Sequence, residues 1–189
     1  GVPRLSFNSY ISIMRKINLP LDSSAKVVGP RLLHSSQWGK IDPVDTPDGG
    51  NIGLHKHMAI LVKISEKASG KPIIQWLKNN SNFRHLTEVS FLYLSKTTKV
   101  FVNGSWIGVI TEPEKIKNLL LDYRRNALIP IYTSISWEIK TDSLFIYTDS
   151  GRLSHPLYYI NYLTNKLSFD NETIIKNIMD NNFTWNELI

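Results

Sequence analysis

The sequence predicts an α+β chain in two parts, an irregular, loop-rich segment followed by a small mixed α/β domain. Three observations carry this. Residues 30–54 hold three prolines, four glycines and three aspartates with few uninterrupted apolar runs, a pattern that fits neither an amphipathic helix nor an alternating strand. Asn103-Gly104 lies between two β-rich arms, the signature of a two-residue hairpin turn with positive φ at both central positions. Ile116, Leu119, Leu120 and Tyr123 recur at helical spacing after Thr111, Pro113 and Glu114, which provide a cap, an early proline and a first-turn acid.

The elements follow in order. Tyr10, Ile13, Met14 and Ile17 fit one face of a short helix, with Arg15 and Lys16 at its dipole-favoured C-terminal end. Residues 18–29 gather Pro20, Asp22, Ser23, Ser24 and Gly29 around Lys26 and read as an exposed loop. The 30–54 stretch follows as a long ordered turn, with Pro43 and Pro47 holding short pieces extended and the glycines permitting unusual dihedrals. Residues 58–64 form an apolar run of strand length, read as a buried strand. Residues 71–79 suit a short helix with Pro72 in its first turn and Ile73, Ile74 and Leu77 inward. The hairpin and the 115–126 helix come next, closed by Arg124-Arg125. Residues 134–139 and 143–148 alternate in strand fashion, Asp149 to Arg152 make a turn, and 170–180 form a final helix through Ile174, Ile175 and Ile178.

Composition narrows the function classes. The 189 residues can bury a real core. No apolar run approaches membrane-spanning length, and the N-terminus lacks a secretory pattern. Zero cysteines exclude disulfides and thiolate zinc sites. A net charge of +6 favours a polyanionic partner such as nucleic acid. The chain lacks an initiating Met and stops at Ile189 inside an apolar-rich motif, so we expect a section of a longer protein.

The residues supply no self-sufficient catalytic set. Asp42, Asp45 and Asp48 invite a hard-cation site, but their spacing does not match an EF-hand loop. Gly49-Gly50-Asn51-Ile52-Gly53 offers backbone amides to phosphate without the lysine and hydroxyl of a Walker motif. His34 beside Ser35 and Ser36 lacks a nucleophile elbow. His55 and His57 point the same way on an extended strand, as metal ligands sometimes do, although a solvated strand entry is the stronger reading.

The pattern Pro30-Arg31-x-x-His34-x-x-x-Trp38-Gly39, then Pro43-x-Asp45-Thr46-Pro47-Asp48-Gly49 and Ile52-Gly53-Leu54, closely resembles the second-largest (β-type) subunit of multisubunit DNA-dependent RNA polymerases. That family's form is Pro-Arg-x-Leu-His, Trp-Gly, Pro-x-Glu-Thr-Pro-Glu-Gly and Gly-Leu. Ser12 to Asn18 resembles its Ser-His-Leu-Arg-Arg segment. Residues 100–108, Arg124-Arg125, 146–152 with Pro156-Leu157, and Thr184-Trp185 follow the eukaryotic and archaeal branch in order. Asp45 and Asp48 stand for the family's glutamates, Asp42 for a common cysteine and His155 for a usual arginine. These departures, with the Asn/Lys/Ile bias, point to a divergent member, viral by first reading and from an AT-rich protist by second.

The resemblance implies a fork region at residues 1–62, with its fork loop at 18–29, and a first external domain at 63–189 running to the start of the second. It implies that Arg15, Lys16 and Lys26 contact nucleic-acid phosphates where the downstream strands separate. Arg31, His34, Asp45 and Asp48 would lie near the active centre, positioning the largest subunit rather than reacting. Partners would be that subunit, the other polymerase subunits, the DNA template and the RNA–DNA hybrid, with no membrane. The section would bind no cofactor itself, Mg2+ being held by the largest subunit of the complete nucleotidyltransferase. It would be inactive alone, and would work in the nucleus if cellular, or in infected-cell cytoplasm and virion if viral. Two other classes compete: a free-standing basic nucleic-acid-binding module, and a small hydrolase using the Asp/His loop.

Overall fold

The computed structural model describes residues 2–161, 165–167 and 172–182. The chain divides into two units, residues 1–63 with 153–156, and residues 64–152 with 157–189. The expected block at Thr184-Trp185 and the start of the last helix at Asp170 lie outside the described residues.

The first unit is mostly loop. Its helix α1, Phe7–Met14, begins at a Ser6 cap whose hydroxyl accepts from the Ser9 amide, while the Ser9 hydroxyl accepts from the Ser6 amide in return. The helix ends at Met14, one residue before Arg15, so the expected face is cut short: Ile17 belongs to strand β1, Lys16–Asn18. β1 pairs antiparallel with β2, His55–His57, joining the two sides of the 18–54 excursion. Within that excursion the chain makes single 3-10 turns at Gly29–Arg31, Ser35–Gln37 and Gly49–Asn51. The expected strand at 58–64 forms only at its end, Lys63–Ile64. Met58 makes one bridge to Ile41, the chain turns as the Val62 amide bonds the Ala59 carbonyl, and Ile60 stands 90% exposed. A competing donor explains the break: the Arg15 guanidinium takes the Ala59 and Ile60 carbonyls that a sheet neighbour would otherwise need.

The second unit is built on a five-stranded mixed sheet. Helix α2, Lys71–Asn80, has Pro72 in its first turn and buries Ile73 and Leu77, each worth about 1.5–3 kcal/mol of transfer free energy. Strand β3 is Arg84–His85, β4 is Thr98–Val102 and β5 is Ser105–Ile110. Asn103 and Gly104 turn the β4–β5 hairpin at φ 49° and 81°, as the pair predicts. Helix α3, Pro113–Arg125, buries Ile116 and Leu120. It leads to β6, Ser134–Glu138, and then β7, Ser143–Tyr147. The sheet order is β3-β5-β4-β7-β6, with β4 and β7 parallel and the other neighbours antiparallel. Alternation along β4 and β7 sends Val100, Val102, Leu144 and Ile146 into a core closed by Ile73, Leu77, Ile116 and Leu120. Trp76 of α2 meets Tyr123 of α3 edge to face at 5.4 Å. Helix α4, Glu172–Met179, follows.

Candidate nucleic-acid interface

The first unit holds every residue singled out from the sequence, and the structure sorts those residues into two kinds. Arg15 and Arg31 are tied into the chain's own backbone. Lys16 and Lys26 are exposed, and neither makes an ion pair among the described residues.

Arg31 is the hub. Its Nε donates to the Val27 carbonyl at 3.2 Å, Nη2 to Ser23 at 3.1 Å and Ala25 at 3.3 Å, and Nη1 to Gly50 at 2.7 Å and Ile52 at 2.9 Å. An arginine has five N–H donors in a rigid fork, so no donor is left for an outside group. The loop that carries Lys26 is thereby shaped from within. At its start the Asp22 carboxylate accepts from the Ser24 amide, and the hydrogen bonds of Ser24 hold that carboxyl below its ordinary range.

The aspartates do not gather. Asp42 caps a turn, its Oδ1 accepting the amides of Val44 at 2.9 Å and Asp45 at 3.2 Å. Those two amides, with His57 nearby, hold its carboxyl below the ordinary aspartate value. Asp45 faces His57, with Oδ2 and Nδ1 3.2 Å apart. Asp48 precedes the Gly49–Asn51 turn without a side-chain cap bond and is exposed. Among the described residues no three His, Asp or Glu side chains converge on a possible metal position. Among the described residues, then, the three aspartates form no shared donor set for a hard cation.

The histidines each take a partner within the unit. His34 caps the Ser35–Gln37 turn, its Nδ1 3.2 Å from the Ser36 amide and 2.7 Å from the Ser36 hydroxyl. His55 and His57 do share one side of β2, as alternation requires, but take different partners. His55 Nδ1 lies 2.7 Å from the Asn18 side-chain oxygen, and His57 meets Asp45.

Two residues that the sequence reading passed over complete the site. Thr46 donates its hydroxyl to the His55 carbonyl at 2.8 Å and accepts the Gly53 amide at 2.9 Å, closing the 46–53 loop onto β2. Lys56 is only 8% exposed, and its Nζ donates to the Pro30 carbonyl at 3.0 Å. The alternation that turns His55 and His57 outward sends Lys56 inward, so the period-2 pattern was the available signal. In the second unit, Arg152 plays a comparable part. It donates to the carbonyls of Tyr132, Tyr147 and Asp149 and to the Asp149 carboxylate. Arg124 and Arg125 are likewise structural, Arg124 donating to the Thr133 carbonyl and Arg125 lying 4.1 Å over the Tyr159 ring.

Comparison with known proteins gives these positions a family context. Residues 2–64 match the family model described as RNA polymerase Rpb2, domain 3, and residues 100–161 match RNA polymerase Rpb2, domain 4. The chain is 36% identical over 159 residues to DNA-directed RNA polymerase II subunit 2 of Arabidopsis thaliana, covering 83% of this chain and 13% of that protein. It is 31% identical to DNA-directed RNA polymerase II subunit RPB2 of Encephalitozoon cuniculi, over 98% of this chain and 16% of that one. It is 32% identical to DNA-directed RNA polymerase subunit 2 of Acanthamoeba polyphaga mimivirus, over 98% of this chain and 15% of that one. The chain thus spans about one-seventh of the length of these relatives. Matches to consecutive domains of one large subunit do not favour a free-standing module or a small hydrolase.

Proposed function

Because the chain belongs to the family of second-largest subunits of DNA-directed RNA polymerases, we propose that it shapes the active-centre cleft and the downstream fork of such an enzyme during transcription. Residues 1–62 are the fork region and 63–189 the first external domain. The observation that carries the reading is the contrast among the cations. Arg15 and Arg31 are bound to carbonyls within the chain, Arg31 shaping the 18–29 loop, while Lys16 and Lys26 are exposed and make no ion pair among the described residues. Two exposed ammonium groups, Lys16 on β1 and Lys26 on the shaped loop, suit phosphate contacts that do not depend on base sequence, the need of an enzyme that transcribes any template.

The partners in this reading are the largest subunit, the remaining polymerase subunits, the DNA template and the RNA–DNA hybrid. Arg31, His34, Asp45 and Asp48 position neighbouring elements of the largest subunit near the active centre rather than act as reacting groups. His34 and Asp48 are exposed and are the two that face a neighbouring subunit. Mg2+ would supply the nucleotidyl-transfer chemistry of the complete enzyme, held in this reading by the largest subunit. The section alone carries no catalysis. A cellular enzyme would place it in the nucleus, and a viral one in infected-cell cytoplasm and virion.

The test is a photocrosslink in the complete polymerase. A photoreactive side chain in place of Lys26 should capture DNA near the downstream edge of the bubble in a stalled elongation complex. Capture of protein alone, with no nucleic acid, overturns the assignment of the 18–29 loop.

A further inference from the structure

The five bonds of Arg31 divide between two loops that are remote in sequence, residues 23–27 and residues 50–52. The loops also approach directly, since a Cβ at Gly50 would lie 3.8 Å from the Ser23 Cβ. The backbone of Arg31 is fixed from two further sides. Gly53 leaves room for it, a Cβ there coming within 2.6 Å of the Arg31 Cα and carbonyl oxygen, and buried Lys56 holds the preceding carbonyl, that of Pro30.

We propose that Arg31 is a positioning residue that couples the Lys26 loop to the Gly50–Gly53 loop, so that the two loops hold their shapes jointly. Its consequence for Lys26 rests on the fork reading given above; the coupling itself does not. A planar guanidinium can reach both loops at once. A lysine ammonium, a point charge with three donors, keeps the positive charge but satisfies at most one loop. Arg31 thus influences the active centre from inside its own chain. Joining a loop that touches the strand fork to one beside the active centre would make the position of either depend on the other.

The experiment uses the assembled polymerase with Arg31→Lys and, separately, Gly53→Ala, which leaves the guanidinium intact but displaces its backbone. Hydrogen exchange reports the loops through hydrogen-bonded amides, Ser24 and Ala25 in one and Ile52 and Leu54 in or beside the other. Both variants should accelerate exchange in both loops together, by roughly tenfold, the effect of losing one or two net hydrogen bonds. Acceleration confined to one loop, or absent from both, overturns the coupling.

The second readout is the salt dependence of downstream-DNA affinity, which a smaller fraction of folded enzyme would not change. Lys26→Ala should lower the slope by about one in the otherwise natural enzyme, the loss of one phosphate contact. The same change should have much less effect in the Arg31→Lys background. An equal effect in both backgrounds overturns the coupling. If Lys26→Ala leaves the slope untouched in the natural enzyme while exchange accelerates in both loops, the coupling stands and the fork assignment fails.

Discussion

Gly53 and Arg31 are in backbone contact: a Cβ placed on Gly53 would fall 2.6 Å from both the Cα and the carbonyl oxygen of Arg31. Gly53 also sits at φ +73°, where L side chains are strained. Gly49 shares the second property, at φ +77°, but a Cβ there would meet nothing within 4 Å. Gly49→Ala should therefore cost only the left-handed penalty of about 1–2 kcal/mol, and Gly53→Ala measurably more. Equal losses in chemical denaturation would show that the close approach carries no energetic weight.

The second unit should respond most strongly at Leu77 and Ile146, both fully buried where α2 meets the sheet. Leu77→Ala and Ile146→Ala should each destabilise it by about 2–5 kcal/mol, as transfer and cavity terms add. Leu128, exposed and outside that core, should tolerate alanine within about 0.5 kcal/mol. Thermal unfolding of the three variants distinguishes these outcomes.

The contrast between those positions marks what the sequence could reveal. Wherever a local pattern and the final environment agree, it was readable. Pro72, Asn103-Gly104 and Pro113 punctuate α2, the hairpin and α3 where their turn and first-turn preferences place them, whereas the cap expected of Thr111 does not form, Glu112 standing at the N-cap of α3 with no side-chain cap bond. The run from Met58 to Ile64 is a strand only at Lys63–Ile64, and before that Arg15, 44 residues away from Ala59 in sequence, binds the Ala59 carbonyl a strand would pair. The Pro-Gly-Asp stretch was legible as an ordered turn, but its fastening was not. Five carbonyls around one guanidinium arise from tertiary proximity, and carbonyls carry no residue signature. For the same reason Arg31 looked like a group free to meet a neighbour, although its donors are all engaged within the chain.

Asn103 does more than turn the hairpin. Its side-chain oxygen accepts the Thr148 amide at 2.7 Å and its amide nitrogen donates to the Thr148 hydroxyl at 2.9 Å; that hydroxyl in turn donates to the Ala68 carbonyl at 3.0 Å. Asn103→Gly preserves the positive φ but deletes this bridge and leaves the buried amide of Thr148 without it. The expected loss is about 1–3 kcal/mol, the cost of an unsatisfied buried donor. A glycine variant as stable as the natural chain would confine Asn103 to its turn role.

Asp42, like Asp22, adds to the acid dependence of the first unit. The amides of Val44 and Asp45, and secondarily His57, favour its ionised form and lower its pKa in the folded state below the ordinary 3.8. A depressed folded pKa adds stability that is present above the unfolded value and disappears as pH falls through the folded one. The 42–45 turn should therefore hold at neutral pH and loosen only below about pH 4. Asp42→Asn removes the carboxylate, so it should weaken the turn at pH 7 and flatten the acid dependence of this unit's stability. The side-chain carbon shift of Asp42 followed by NMR gives the direct measurement. A midpoint at or above 3.8 would contradict the two-amide cap seen in the structure.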